Sequence, residues 1–287
     1  MYLASFAKML PGSPQDIFAG NKPLAAWVDG LKNTDLGKFT NTYFAEIEIF
    51  HFIGMFLIGA SVILTCLRLI GVGIKEEPAS VIEKNTRVFL HIGAIMAIGT
   101  GLMMGVGNSG KLWTSEIFTA KMIAMVAGLI VSYGVMVPVA QRDGVASPAT
   151  RIGGIIALAL WILSLAIFAV RPTANVGFFH MLWAGSLILF AALPKKMRWV
   201  FIVGLIALLV PWQILTHLVY NDQQEQYTTV NKAFMYLSGL WIFGLATANI
   251  LGRGASSDSN AFGRMIGYVT ILAWVTVGAG GRWIGLS

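Results

Sequence analysis

The sequence predicts an all-α fold: a polytopic transmembrane helical bundle of about eight spans, preceded by a segment lying along the membrane surface. Three observations carry the prediction. Hydrophobic residues make up 56% of the 287-residue chain and charged residues only 11%, against about 25% charged in soluble proteins. Mean hydropathy is +0.74. Apolar stretches of roughly twenty residues recur along the chain, each long enough to cross a bilayer.

The elements follow in order. Residues 1–40 are mixed in character and punctuated by Pro11, Pro14 and Pro23. No basic stretch leads into an apolar core there, so no signal peptide is expected. From Pro23 to Leu36, the residues Leu24, Trp27, Val28 and Leu31 recur at helical spacing opposite Asp29, Lys32 and Asp35, the pattern of an interfacial helix. Residues 41–287 form one bundle. Its spans are expected at about 43–70, 85–106, 116–138, 152–170, 175–193, 197–219, 230–251 and 262–283. Short connections with turn chemistry, such as Arg142-Asp-Gly144 and Pro194-Lys-Lys196, make successive spans antiparallel neighbours. Small residues (Gly54 and Gly59, Gly153 and Gly154, Gly278 to Gly281) allow close helix approach.

Orientation is read from the loop cations. Arg68, Lys75, Lys84, Arg87, Arg142, Arg151, Lys195, Lys196, Arg198, Arg253 and Arg264 gather on one side, which the positive-inside rule makes cytoplasmic. Both termini then face the periplasm of a bacterial inner membrane. The net charge of +7 belongs to these loops, and nucleic-acid binding is not expected. The single cysteine, Cys66, lies mid-span, so the chain forms no internal disulfide.

Ionisable residues within a span are costly and mark functional sites. Glu48 and His51, three residues apart on one helix face, stand near the outer end of the first span. Lys121, His180, His217, Arg171 and Arg282 fall in the same leaflet, whereas His91 lies alone in the inner half. Lys121 is expected to pair with Glu46 or Glu48, as an ion pair or a proton-transfer couple.

Three chemistries fit the cluster. The first is a b-type haem with axial ligands from His51 and either His180 or His217. Arg171 and Arg282 would hold its propionates, with Trp183, Trp212, Phe178 and Phe179 as walls. The second is a single metal ion, since Glu48-x-x-His51 is half of a carboxylate-bridged metal site; a second such pair is absent from the sequence. The third is a proton path or quinone pocket built on His51 and Glu48. Structural histidines bonded to backbone or water remain the plain alternative, which is the expectation for His91. The methionines (Met96, Met103, Met104, Met122, Met125, Met136) read as packing rather than as copper ligands. Gly99-Thr-Gly101 sits inside a span and is no phosphate loop.

Glu48-Ile-Phe-His-Phe-Ile-Gly54, followed by Gly59 and Leu67-Arg-Leu-Ile-Gly71, resembles the opening of an uncharacterised bacterial multi-pass integral-membrane family. Thr100-Gly-Leu102, Phe118-Thr-Ala-Lys121 and Gly281-Arg-Trp-Ile-Gly285 are similar to further features of that family. The likeness covers roughly residues 34–138 and 262–287, with extra central helices here. It implies a functional or folding set of Glu48, His51, Arg68, Lys121 and Arg282, and no activity.

The expected function is a membrane electron-transfer subunit, binding haem b near the outer leaflet and linking a periplasmic redox partner to the quinone pool. It would work within a larger membrane complex. A transporter or metal-handling permease using the same polar cluster, or a structural accessory subunit, are the alternatives.

Overall fold

The computed structural model describes residues 9–170, 187, 190, 193–219, 224–252 and 260–284. The described elements are helical throughout. Three short helices come first: α1 (Pro14–Ile17), α2 (Lys22–Leu31) and α3 (Asp35–Thr42). Then follow α4 (Phe44–Ile70), α5 (Ala79–Gly107), the short α6 (Ser109–Trp113), α7 (Glu116–Gln141) and α8 (Pro148–Val170). The last three are α9 (Lys195–Val219), α10 (Gln224–Gly252) and α11 (Ala261–Ile284). Seven of the described helices are long and apolar enough to cross a membrane, so this is a membrane protein with lipid as its surroundings. They coincide with seven of the eight expected spans. The expected fifth span, with His180, lies outside the described residues apart from Leu187, Phe190 and Leu193, as does Arg171 at the end of the fourth.

Local chemistry sets the helix ends. The run Leu67-Arg-Leu-Ile-Gly71 is a stop signal: Gly71 takes φ 85°, which an L side chain resists. Its N–H donates to the Arg68 carbonyl, and that of Val72 to Leu67, closing the last turn. At the start of α7, Ser115 Oγ accepts the Phe118 N–H at 3.2 Å. In α7 the turns over Ile130–Met136 widen to π geometry immediately before Pro138, whose ring removes a helical donor. Pro211 precedes a similar widening over Ile214–Val219 in α9.

The N-terminal segment corrects one expectation. The amphipathic stretch is not one helix from residue 23 to 36; α2 ends at Leu31. Thr34 stops it and starts α3, donating its hydroxyl to the Leu31 carbonyl at 2.6 Å and accepting the Gly37 N–H at 3.1 Å.

The core lies where α4, α5, α7, α8 and α11 meet, around Val62, Cys66, Leu90, Ala127, Val131, Phe168 and Ile266, all at most 1% exposed. Hydrogen bonds pin these helices where no water competes. Trp161 Nε1 donates to Thr276 Oγ1, Trp274 Nε1 to Ser132 Oγ, and Ser164 Oγ to the Ala120 carbonyl, at 2.8–2.9 Å. The α9 and α10 helices pack largely on each other, with α10 also touching α8 through Phe243 against Trp161.

At the end carrying the loop cations, charged and polar groups are tied down. Arg87 grips the buried Glu83 through two hydrogen bonds. Arg68 Nε donates to the Glu77 carbonyl at 2.6 Å, and Arg264 to that of Ile250 at 2.7 Å. Asp143 (φ 48°) accepts the Ser80 N–H, capping α5 from the α7–α8 turn. His91 behaves as the structural histidine expected: its ring stacks on Tyr133, with Nδ1 3.2 Å from the phenol oxygen.

Candidate functional site

The site begins with a close helix crossing. A Cβ on Gly93 of α5 would lie 2.6 Å from the Gly54 carbonyl oxygen of α4, and one on Gly54 would lie 2.8 Å from the Ala97 nitrogen. Only two glycines permit this approach. Gly54 was a packing residue by sequence; its partner Gly93 was not recognised.

One turn further along α4, the crossing sets His51 against α5. His51 Nδ1 lies 3.0 Å from Thr100 Oγ1. The Thr100 hydroxyl donates to the Met96 carbonyl at 2.5 Å, so its oxygen is left to accept and Nδ1 is the donor. This contact orients the ring, and with Nδ1 as donor it is the Nε2 lone pair that faces another partner. Gly101 supplies room, since a Cβ there would stand 3.3 Å from His51 Cε1. Thr100 and Gly101 together therefore cradle the imidazole.

His51 lines a cavity of about 370 Å³, within the size range of small-molecule sites. Its walls are mostly apolar, with Met55, Phe118, Met122, Trp113 and Trp274 among them. Pro14, Val28 and Leu31 from the N-terminal helices line one side, held there partly by Phe18 stacked on Trp113. The interfacial segment thus serves as a cover. Polar groups in the wall are His51, Lys121 and Ser109. Ser109 is 4% exposed, and its hydroxyl has no hydrogen-bond partner among the described residues. Ser109 borders the cavity, but its Oγ is closed off from it, so this hydroxyl is not itself presented to a ligand.

A second chamber of about 240 Å³ adjoins the first, with His51 and Lys121 lining both. It is the more polar of the two: Glu48, Asn108, Lys111 and Arg282 also line it. The Lys121 stem runs beside α11, where a Cβ on Gly280 would meet Lys121 Cβ at 3.0 Å and one on Gly281 would meet Nζ at 3.5 Å. These glycines open a track for the lysine.

The structure therefore brings together Glu48, His51, Lys121 and Arg282. It does not form the expected ion pair: among the described residues no contact within 4.0 Å joins Lys121 to Glu46 or Glu48. Glu46 is exposed on another face of α4, and Glu48 and Lys121 border one chamber without bridging it. His217 is exposed on α9 and lines neither chamber. The expected bis-histidine haem needs a second axial ligand across the ring from His51; His217 is not there, and His180 lies outside the described residues. Among the described residues no group of three or more His, Cys, Asp or Glu could hold a metal ion. Haem or metal therefore has no fitting ligand set among them. Thr100, Gly101 and Ser109 are site residues that charge-based reading passed over.

Fold and site define a membrane-embedded helical bundle with a covered, largely apolar ligand cavity at one end. The model of a family of unknown function, DUF6644, matches residues 27–178, more than half of the chain, and the chain belongs to that family. The matched stretch contains Glu48, His51, Thr100, Gly101, Ser109 and Lys121, whereas Arg282 falls beyond it. Comparisons with curated proteins and with solved structures give no match.

Proposed function

We propose that the protein is an electron-transfer subunit of a bacterial inner-membrane complex, and that the 370 Å³ cavity holds the ring of a quinone or quinol. The observation that carries this reading is His51, oriented through Nδ1 by Thr100 with Nε2 free to meet a ligand. The walls call for a membrane-soluble molecule, and the polar groups call for hydrogen bonds at separate points. A quinone ring, with one oxygen at each edge, offers one to His51 and the other to Lys121.

Oxidation of a quinol releases two electrons and two protons: the electrons pass to a redox partner in the complex, and Nε2 takes the hydroxyl protons one after the other, passing on the first before it accepts the second. Glu48, in the adjoining chamber, receives each proton on its way to the periplasmic surface, the side assigned by the loop cations. Trp113 and Trp274 in the cavity wall supply a signal, because a bound quinone quenches nearby indole fluorescence. Titrating the purified chain with a short-chain quinone is expected to give saturable quenching, weakened at least tenfold (about 1.4 kcal/mol) in His51→Ala. Equal affinity in wild type and variant would remove His51 from the site and overturn the reading.

A further inference from the structure

A third space borders the site from the lipid side. It is a groove of about 240 Å³ between α4 and α11, sharing Phe52, Met55 and Gly278 with the polar chamber. Phe56 and Ile63 line it and are 76% and 38% exposed, so it opens toward the bilayer. Gly59 and Gly278 line it too, and a Cβ on either would meet nothing within 4 Å. These glycines, expected to bring helices together, instead leave a channel unfilled. From Phe52 to Ile63 the groove follows about 16 Å of helix, close to the ~15 Å depth of one leaflet's hydrocarbon.

The chamber at the head of this groove has the opposite chemistry. Lys111, Lys121 and Arg282 face it with Glu48 as the one carboxylate among its lining residues. None of the three cations makes an ion pair among the described residues. Lys111 and Arg282 are exposed and Lys121 is half-buried, and cations clustered at the end of a membrane span attract an anionic headgroup. We propose that the chamber binds the phosphate of an anionic membrane lipid, with one acyl chain lying in the α4–α11 groove. The continuity of groove and chamber favours a lipid over a free anion, which would leave the groove without use. The chamber shares His51 and Lys121 with the quinone cavity, but the proposal does not require that a quinone binds there.

The test uses the full chain in nanodiscs of phosphatidylcholine with one-fifth phosphatidylglycerol, followed by mass spectrometry of the lipid retained after transfer to detergent. Wild type is expected to retain phosphatidylglycerol at least tenfold above its share. Lys111→Gln combined with Arg282→Gln, and separately Gly59→Leu combined with Gly278→Leu, should each abolish the enrichment. The glycine pair projects into open space, so it keeps the fold, which an unchanged unfolding temperature in detergent checks. Inorganic phosphate added in place of the lipid should raise the unfolding temperature far less than phosphatidylglycerol. Equal retention of the two lipids, enrichment surviving both variant pairs, or full protection by inorganic phosphate would each overturn the proposal.

Discussion

The two ends of the bundle handle charge in opposite ways. At the basic end Glu83 is held by Arg87, and Arg68 and Arg264 donate to backbone carbonyls. Asp143 and Asn260 cap α5 and α11. At the other end His51, Lys121, Ser109 and Arg282 border cavities, and among the described residues His51 alone of these has a side-chain hydrogen bond to another side chain, Thr100. The difference teaches how to separate polar residues that build a membrane fold from those kept for a ligand. The former are gripped by neighbours within the chain; the latter, His51 and Lys121 above all, border a space that a ligand can enter.

Substitutions can break or sharpen this contrast. The largest effect is expected where the two roles share a support. Gly93→Val drives a side chain into the α4 backbone, costing about 3 kcal/mol through overpacking. It also shifts His51 off Thr100, so thermal unfolding and quinone titration should both deteriorate. Next, Glu83→Ala strips Arg87 of its partner and should lower stability by about 2–3 kcal/mol, the low side for a broken buried pair because Arg87 is partly exposed. Quinone affinity should not change. Thr100→Val removes the acceptor for His51 Nδ1 and should weaken quinone binding by about 1 kcal/mol, with Thr100→Ser restoring it. Smallest, Lys32→Ala deletes an exposed pair with Asp29 and should move unfolding by less than about 0.5 kcal/mol.

Much of this was legible before any coordinates. Seven spans follow from composition, because a bilayer accepts little besides long apolar helices. Glu48, His51, Lys121 and Arg282 stood out because charge within an apolar run is rare. Position along each helix can be counted from sequence, and these four line one chamber. Azimuth around each helix cannot be counted so easily. That is why Lys121 was assigned to a carboxylate it does not reach, and why His217 was placed beside His51 when α9 packs largely on α10. Thr100, Ser109 and Gly93 carried no such flag: small and hydroxyl residues are common in membrane helices. Thr100 gains meaning only from a partner 49 positions away. The break at Thr34 was readable as a cap signal, and the hydrophobic periodicity running past it obscured it.

The central claim is that His51 is kept for a ligand and not for the fold. Its most direct test measures unfolding temperature and short-chain quinone affinity together in His51→Ala and Glu83→Ala. The account predicts a double dissociation, with His51→Ala losing affinity at least tenfold while unfolding as wild type does, and Glu83→Ala doing the reverse. A His51→Ala protein that unfolds early and still binds quinone with full affinity would contradict it.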